Sequence, residues 1–552
     1  MKKTYLPLIV CTFAALINVN AANVFDVAEH YSGPTTGNVD WFQVTPSAAW
    51  TYDTSGFGGP WTGGAFNPNN GTTVGSQTAT TVNVNVAPTL TGNLTLTTSG
   101  AVTVQNINLN PIVGSNVFTL KLGGNFTQNA TSAALTSITG ASADASKLVI
   151  DLNGYNMLIN RGNVGNTAAS SFTLNSTNAG GIFTTAVALT GSGVERLAIN
   201  DGATLFTGWL QGTTAGVATF YTYNTAMSAN STLKFAGRTA GTSIVVRNSA
   251  GGSLNQSFGN IIVGDGTTVT PWNFTGSWTS APSTPLGRLM TVRGNFTLAT
   301  NSSYTIGNIS STQGIAGIAV GGNYTDTNTG ARTYSTAVTS GGGAINSAIF
   351  FNGGYTSGTP LVNERTVIIN GSIGKNATSN LVTNFQVGDG TTGGNVKLGA
   401  NLTLTDTTNF TVTNNSRLNL ATYTLSTAAG GINIATGATI ATTFGSQSGL
   451  ATTSGNLTLK TFNLQLSYDG GAWLNGNDLL LFSSAGILGT PTIGTLTLGA
   501  GVGSVGSLYN DGLNVYLSNV NVVPEPSSAA LLLGAVGGLV VWTARRKNRK
   551  KI

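Results

Sequence analysis

Gly92-Asn93-Leu94-Thr95-Leu96-Thr97 carries the pattern that decides the fold. A Gly-Asn turn signal is followed by strict apolar–polar alternation, the period of a half-buried β-strand. The phrase returns as Gly124-Asn125-Phe126-Thr127, Gly294-Asn295-Phe296-Thr297 and Gly322-Asn323-Tyr324-Thr325. Close variants are Ala400-Asn401-Leu402-Thr403-Leu404-Thr405 and Gly455-Asn456-Leu457-Thr458-Leu459-Lys460. A chain that repeats one turn-and-strand unit stacks copies of that unit. A longer repeat links Val263-Gly264-Asp265-Gly266-Thr267-Thr268 to Val387-Gly388-Asp389-Gly390-Thr391-Thr392, 124 residues later. Leu233-Lys234-Phe235 and Ile244-Val245-Val246-Arg247-Asn248 precede the first copy; Ile349-Phe350-Phe351 and Val367-Ile368-Ile369-Asn370 precede the second. Spacing drifts between the copies, as it does where loops between coils accept insertions.

Composition points the same way. Of 552 residues 75 are Gly and only 14 are Pro, and 7% are charged. Apolar positions persist throughout, which separates the chain from a disordered linker. Short strands, Gly and Asn at turns, and Asn/Thr-rich faces predict an all-β fold. The expected architecture is a right-handed parallel β-helix with coils of about 20 to 25 residues stacked about 4.8 Å apart. Tandem antiparallel β-sandwiches are the alternative. The repeat body is expected over 85–520. Residues 22–84, with Trp41, Trp50 and Trp61, read as an N-terminal cap over the open edge of the first coil, or else as an exposed aromatic face for sugar rings. The scattered Trp209, Trp272, Trp278 and Trp473 are expected to pack in corners.

Both ends read as addresses. Lys2 and Lys3 precede an apolar stretch from Leu6 to Ile17 and the small residues of Val19-Asn20-Ala21, a secretory signal peptide over 1–21. The only cysteine, Cys11, lies inside it, so the mature chain has no thiol, no disulfide and no cysteine metal site. At the other end, 521–552, Val523-Pro524-Glu525-Pro526-Ser527 leads into an uncharged run over 527–544. Its eighteen residues would span about 27 Å as a helix, close to the thickness of a hydrocarbon core, which predicts a single transmembrane helix. Arg545, Arg546, Lys547, Arg549, Lys550 and Lys551 would then hold the end in the cytoplasm and leave the body outside. The prolines around Glu525 forbid helix there and present an extended peptide. Targeting segments also carry the excess positive charge. Two of the 23 Lys and Arg lie in the leader and six in the tail, so 15 remain against 17 Asp and Glu. The mature body is nearly neutral and offers no basic patch for nucleic acid.

The order of motif, apolar run and basic end resembles the PEP-CTERM sorting tail of exported bacterial proteins, with Val523, Pro524, Glu525, Pro526 and Ser527 as the sorting motif. The resemblance covers about thirty residues. It implies two partners during export, signal peptidase and an exosortase, a membrane cysteine protease that recognises the motif and removes the helix. It also implies a route through the inner membrane to the outer envelope, cell surface or extracellular space. An ordinary C-terminal membrane anchor is the plainer reading. The body resembles the autotransporter-associated β-strand repeat proteins along Leu148-Val149-Ile150-Asp151-Leu152-Asn153-Gly154-Tyr155, Arg417-Leu418-Asn419-Leu420-Ala421-Thr422-Tyr423-Thr424-Leu425 and Asp478-Leu479-Leu480-Leu481-Phe482. A true autotransporter ends in a membrane β-barrel. This chain ends in one apolar run and a basic end, which points to exosortase handling in place of self-secretion.

A catalytic reading finds little to build on. The chain has one histidine, His30, and its carboxylates are scattered. Asp265 and Asp389, each between glycines, read as tight turns and lack the alternating acids of a calcium loop. His30 beside Glu29 has no nucleophile with it. The expectation is no enzyme, no catalytic residues, no metal and no cofactor. The Asn-X-Ser/Thr triplets at Asn93, Asn125, Asn129, Asn295, Asn323 and Asn401 follow from an Asn- and Thr-rich composition and only weakly suggest glycosylation. The expected role is an exported surface or matrix structural protein of a Gram-negative-type bacterium, in adhesion or biofilm scaffolding. The alternative is an extracellular polysaccharide-active or carbohydrate-binding β-helix. An enzyme of that kind would need two carboxylates and an Arg or Lys within about 10 Å.

Overall fold

The computed structural model describes residues 24–42, 50–53, 73–74, 77–129, 137–138, 144–159, 163–164, 171–185, 196–199, 202–207, 218–221, 226–235, 242–248, 256–264, 272–278, 288–299, 302–309, 315–327, 332–338, 346–351, 364–370, 372–375, 383–388, 393–405, 408–523 and 526–548. They are nearly all β-strand, and they form a parallel β-solenoid. Parallel pairing one coil apart replaces the hairpins that antiparallel β-sandwiches would need. The chain falls into two compact units, Met1–Gly252 with Gln256–Trp272, and Ser253–Asn255 with Asn273–Ile552.

In the first unit each coil adds one strand to each of three sheets. Leu94–Thr98 pairs in parallel with Phe118–Leu122, which pairs with Leu148–Asp151, which pairs with Ser171–Asn175. The register lines up Val39, Leu96, Leu120, Ile150 and Leu174 in one inward column. All five side chains are buried, while the alternate threonines Thr95, Thr97 and Thr119 point outward and are only half-buried. Period-2 alternation thus becomes a continuous apolar core along the stack.

The second unit repeats the scheme. One sheet runs through eight described strands from Phe296–Leu298 to Thr492–Leu498. A second sheet stacks Ile318, Ile349, Phe385, Phe410, Ile432 and Leu457 in register, all buried. Aromatic rings follow the same axis: Phe296 stacks on Tyr324 at 5.5 Å, and Tyr324 meets Phe351 edge-on at 5.7 Å.

Coil length departs from the expected 20 to 25 residues. Val396 pairs with Leu418 and Leu418 with Ile440, 22 residues each, but Leu464 pairs with Leu496 across 32 and Tyr324 with Val367 across 43. Only the strand register is fixed by the core; the turns between strands are free to lengthen.

The recurrent Gly-Asn phrase has a single structural role. The residue before each strand is the asparagine, and its Oδ1 accepts a hydrogen bond from the backbone N–H of the equivalent residue one coil later. Asn93 accepts from Val117 at 2.9 Å, Asn125 from Asn156 at 3.1 Å, and Asn295 from Asn323 at 2.9 Å. Asn323 accepts from Thr366 and Asn401 from Thr424, both at 2.8 Å. Five of the sequon asparagines therefore join adjacent coils. Before Asn125 and Asn323 only a glycine fits, because coils nearly touch there: a Cβ on Gly124 would lie 2.4 Å from the backbone of Gly100 and Ala101, and one on Gly322 2.4 Å from that of Gly294, whereas Asn401 follows Ala400. The longer repeat also holds locally. Phe235 pairs with Val263 in the first unit and Phe351 with Val387 in the second, and Gly264 and Gly388 follow with φ of +86° and +76°.

Two features at the ends were not anticipated. Strand Val24–Tyr31, inside the expected cap, pairs in parallel with Gln77–Val86, which pairs with Asn106–Leu109; this part of 22–84 is built like the body, and Gln77–Val86 runs across position 84. Asn83 and Asn85 receive hydrogen bonds from Asn106 and Asn108 at 2.7 and 2.9 Å, a polar ladder across that strand pair. At the far end Asn514–Val522 runs antiparallel to Asn477–Ser483, Leu508–Asn510 and Val502–Ser504. Reversal of direction ends one sheet with paired strands in place of an open edge.

The C-terminal helix is Pro526–Asn548, longer than the expected 527–544 because it takes in Arg545, Arg546 and Lys547. Proline suits its first position, where the missing N–H is not needed. Among the described residues no helix is long and apolar enough to cross a membrane, so the expected transmembrane helix is not found as such. The apolar side chains described on it, from Leu533 to Trp542, are exposed. Arg546 stacks over Trp542 at 5.0 Å.

Candidate functional site

The densest group of polar side chains lies in the second unit. Glu364 precedes strand Arg365–Ile369, whose register sets it beside Asn395; Asn395 pairs with Arg417 and Arg417 with Thr439. This column lies on the face opposite Val396, Leu418 and Ile440, which point into the core. Arg417 is nonetheless only 4% exposed. Its Nη1 forms an ion pair with Glu364 and donates to Asn395 Oδ1 at 3.1 Å, and its Nε donates to Gln465 Oε1 at 2.9 Å. Asn419 Nδ2 donates to the same Glu364 oxygen at 2.9 Å. A buried guanidinium keeps its charge only with such partners. One carboxylate is present, already neutralised, so the pair of carboxylates required by the polysaccharide-enzyme reading is not assembled here.

Asp326 is wholly buried in strand Tyr324–Asp326, whereas Asp40, Asp144, Asp151, Asp469 and Asp511 accept hydrogen bonds from backbone N–H groups beside them. Asp40 accepts from Phe42 N and Ser99 Oγ at 2.9 and 3.0 Å, and Asp144 caps the short 3-10 turn Ala145–Lys147. Asp151 accepts from Asn153 N, Thr177 N and Thr177 Oγ1 at 3.1, 2.8 and 2.6 Å. Asp469 accepts from Ser446 N and Gly471 N, both at 2.9 Å. Burial pushes its carboxyl up, but these N–H groups outweigh that and hold it below the usual range. Asp511 is lowered by Asn514 Nδ2 and the N–H groups of Leu513 and Asn514. With folded values below the unfolded ones, both contribute stability that is present above about pH 4 and lost as pH falls below it.

Asp478 accepts from Tyr509 Oη at 2.7 Å and from Asn519 N at 3.1 Å, tying the closing strands to the last coils. The hydrogen bond from the phenol to this carboxylate pushes Tyr509 up to about 12. Its contribution to stability is full below pH about 10 and lost between about 10 and about 12. A spectroscopic titration of phenolate absorbance is expected to show two tyrosines ionising near 12, Tyr31, which burial pushes up, and Tyr509, of which only the second moves toward 10 in Asp478→Asn; an unmoved titration would show that Asp478 is not the cause.

Among the described residues no group of three or more His, Cys, Asp or Glu is placed to hold a metal ion. Asp265, Asp389 and Glu525 lie outside the described residues, as do the expected signal peptide over 1–21 and Trp61. His30 and Trp50 stand in strands Val24–Tyr31 and Trp50–Asp53. Trp41 corrects the sugar-stacking reading at its position: it is completely buried, its ring edge-on to Phe126 at 5.8 Å. Trp473 packs as expected, edge-on to Phe444 at 4.8 Å with Nε1 donating to Val520 O at 3.0 Å.

The segment expected as a sorting motif adjoins a hydrogen-bonded end of the body. Val522 N donates to Asn475 Oδ1 at 2.8 Å and Val523 N to Gly501 O at 3.0 Å. Val523 itself is exposed, Pro524 lies outside the described residues, and Pro526 and Ser527 open the helix. Arg545, Arg546 and Lys547 sit on its last turns, and Arg549, Lys550 and Lys551 lie outside the described residues. No family model matches the chain, and no curated protein matches it. Nothing in the sequence marked the Arg417 cluster, because Glu364, Arg417 and Gln465 stand 53 and 48 residues apart and no motif spans them.

Proposed function

We propose that this chain is an exported structural protein, carried across the inner membrane by its leader, held there briefly by the helix over 527–544, and sorted by an exosortase at Pro524-Glu525-Pro526 to the envelope, cell surface or extracellular matrix. Adhesion or biofilm scaffolding is the role such a body suits, with an extracellular polysaccharide as the candidate partner. The observation that carries the reading is the junction at Val523. The folded body is hydrogen-bonded through that residue, and the next residue begins the Pro-Glu-Pro motif, an uncharged run and six cations. A processing enzyme acting there would detach the tail without disturbing a coil. Asp40, Asp144, Asp151, Asp469, Asp478 and Asp511, which serve turns and coil junctions, fit a passive scaffold better than a catalyst.

Intact mass of protein recovered from the producing cells tests the reading. Native material is expected to end near residues 523 to 526, whereas a variant with Pro524, Glu525 and Pro526 all changed to Ala keeps its tail in the membrane fraction. If both proteins retain Ile552, the tail is a plain anchor and the sorting role is lost.

A further inference from the structure

Strand Thr492–Leu498 ends its sheet, and among the described residues its only partner is Thr461–Tyr468. Its inward residues occupy core positions without a core above them. Leu464 and Leu466 are 0% and 1% exposed, yet their register partners Leu496 and Leu498 are 37% and 38% exposed. Gly486–Leu488 ends the neighbouring sheet of the same unit; its inward position is Ile487, in register with buried Leu457, and Leu488, in register with the outward Thr458, is exposed. The antiparallel strands that close the third sheet do not cover these two. The end also lacks the devices that protect a strand edge: no Lys, Arg, Asp or Glu occurs between Asp478 and Asp511, and Thr492–Leu498 contains no proline.

We infer that this end is a homodimer interface in which Thr492–Leu498 of two copies pair antiparallel across a two-fold axis. The occupant must supply backbone donors and acceptors along the edge, an alternating apolar side for Leu496 and Leu498, and no charge. A second copy of Thr-Leu-Thr-Leu meets all three requirements, and a two-fold contact closes on itself. Centring the axis on Thr497 sets Leu496 against Leu498 of the second copy, a cross-strand apolar pair made twice. The uncharged stretch allows two copies to approach without repulsion, and the contact continues the sheet by the same ladder that holds its coils together. A lipid surface is the poorer occupant, because hydrocarbon strongly penalises the unpaired N–H and C=O groups of a strand edge. The contact needs only the folded body, so it stands whether or not the tail is processed.

The test uses the full chain in neutral detergent with Cys11→Ser. Light scattering is expected to give a dimer, and Thr497→Cys is expected to form an intermolecular disulfide on mild oxidation, whereas Thr411→Cys, on a strand paired on both sides, does not. Leu496→Lys with Leu498→Lys should abolish the dimer with an unchanged circular dichroism spectrum. A monomeric parent overturns the inference, as does a dimer that survives the lysine pair or a ladder of larger species. A monomer that binds neutral phosphatidylcholine vesicles through the two leucines overturns it in favour of lipid.

Discussion

Glu364→Ala is expected to destabilise the second unit by about 3 kcal/mol, the low end of what breaking a buried ion pair costs. The magnitude follows from asymmetry in burial: the Arg417 side chain is 5% exposed and Glu364 18%. Removing the carboxylate leaves a guanidinium that water cannot reach, with the neutral acceptors Asn395 and Gln465 beside it. Removing both charges is different. Glu364→Leu with Arg417→Met replaces the pair by apolar groups of similar length, and the loss should fall below about 1.5 kcal/mol, because the double change leaves no stranded charge. Native-state hydrogen exchange is the suitable reading, since a solenoid transmits such a loss mainly to adjacent coils. Protection in Asn395–Leu398, Arg417–Asn419 and Thr439–Phe444 should drop about a hundredfold in the single variant and recover in the double. Equal losses in the two would mean that the network holds the coils by shape and not by charge.

Legibility in the sequence follows the distance over which each feature is made. The Gly-Asn phrase was readable because one short unit does its work at one place, the asparagine oxygen reaching the next coil from Asn93, Asn125, Asn295, Asn323 and Asn401. Two of the three lines read as resembling known repeats, those from Leu148 and from Arg417, also fold alike. Asp151 and Asn419 accept from the N–H two residues on, at 3.1 and 2.9 Å; Leu152 and Leu420 are buried; and Tyr155 and Tyr423 donate back to them. Asn153 and Ala421 take positive φ in the same turn. Long-range pairing was not readable. Coils between 22 and 43 residues long hide which strand lies on which, so the Arg417 cluster has no sequence mark. Nor does alternation distinguish the antiparallel closing strand Asn514–Val522 from its parallel predecessors, because both bury every second residue.

The same limit applied to Trp41, where sequence left a cap over the open edge of the first coil and a sugar-binding face both open, and here the expected effect is large enough to separate packing from sugar binding. Trp41 follows strand Gly37–Asp40, the first of its sheet; its N–H donates to Thr97 O at 2.7 Å and its ring meets Phe126 edge-on. Full burial of an indole predicts a loss of about 3 to 5 kcal/mol for Trp41→Ala, the range for emptying a large aromatic site. Trp41→Phe keeps the edge contact and should lose less than half of that. Because coils are stabilised mainly by their neighbours, the loss should appear as exchange in Gly37–Asp40, Leu94–Thr98 and Phe118–Leu122, all in the first unit, with the strands from Arg417 onward unchanged. A sugar-facing tryptophan would behave oppositely, with stability intact and glycan retention reduced. If Trp41→Ala leaves exchange in the first unit untouched, the ring does not plug the core at the start of that sheet.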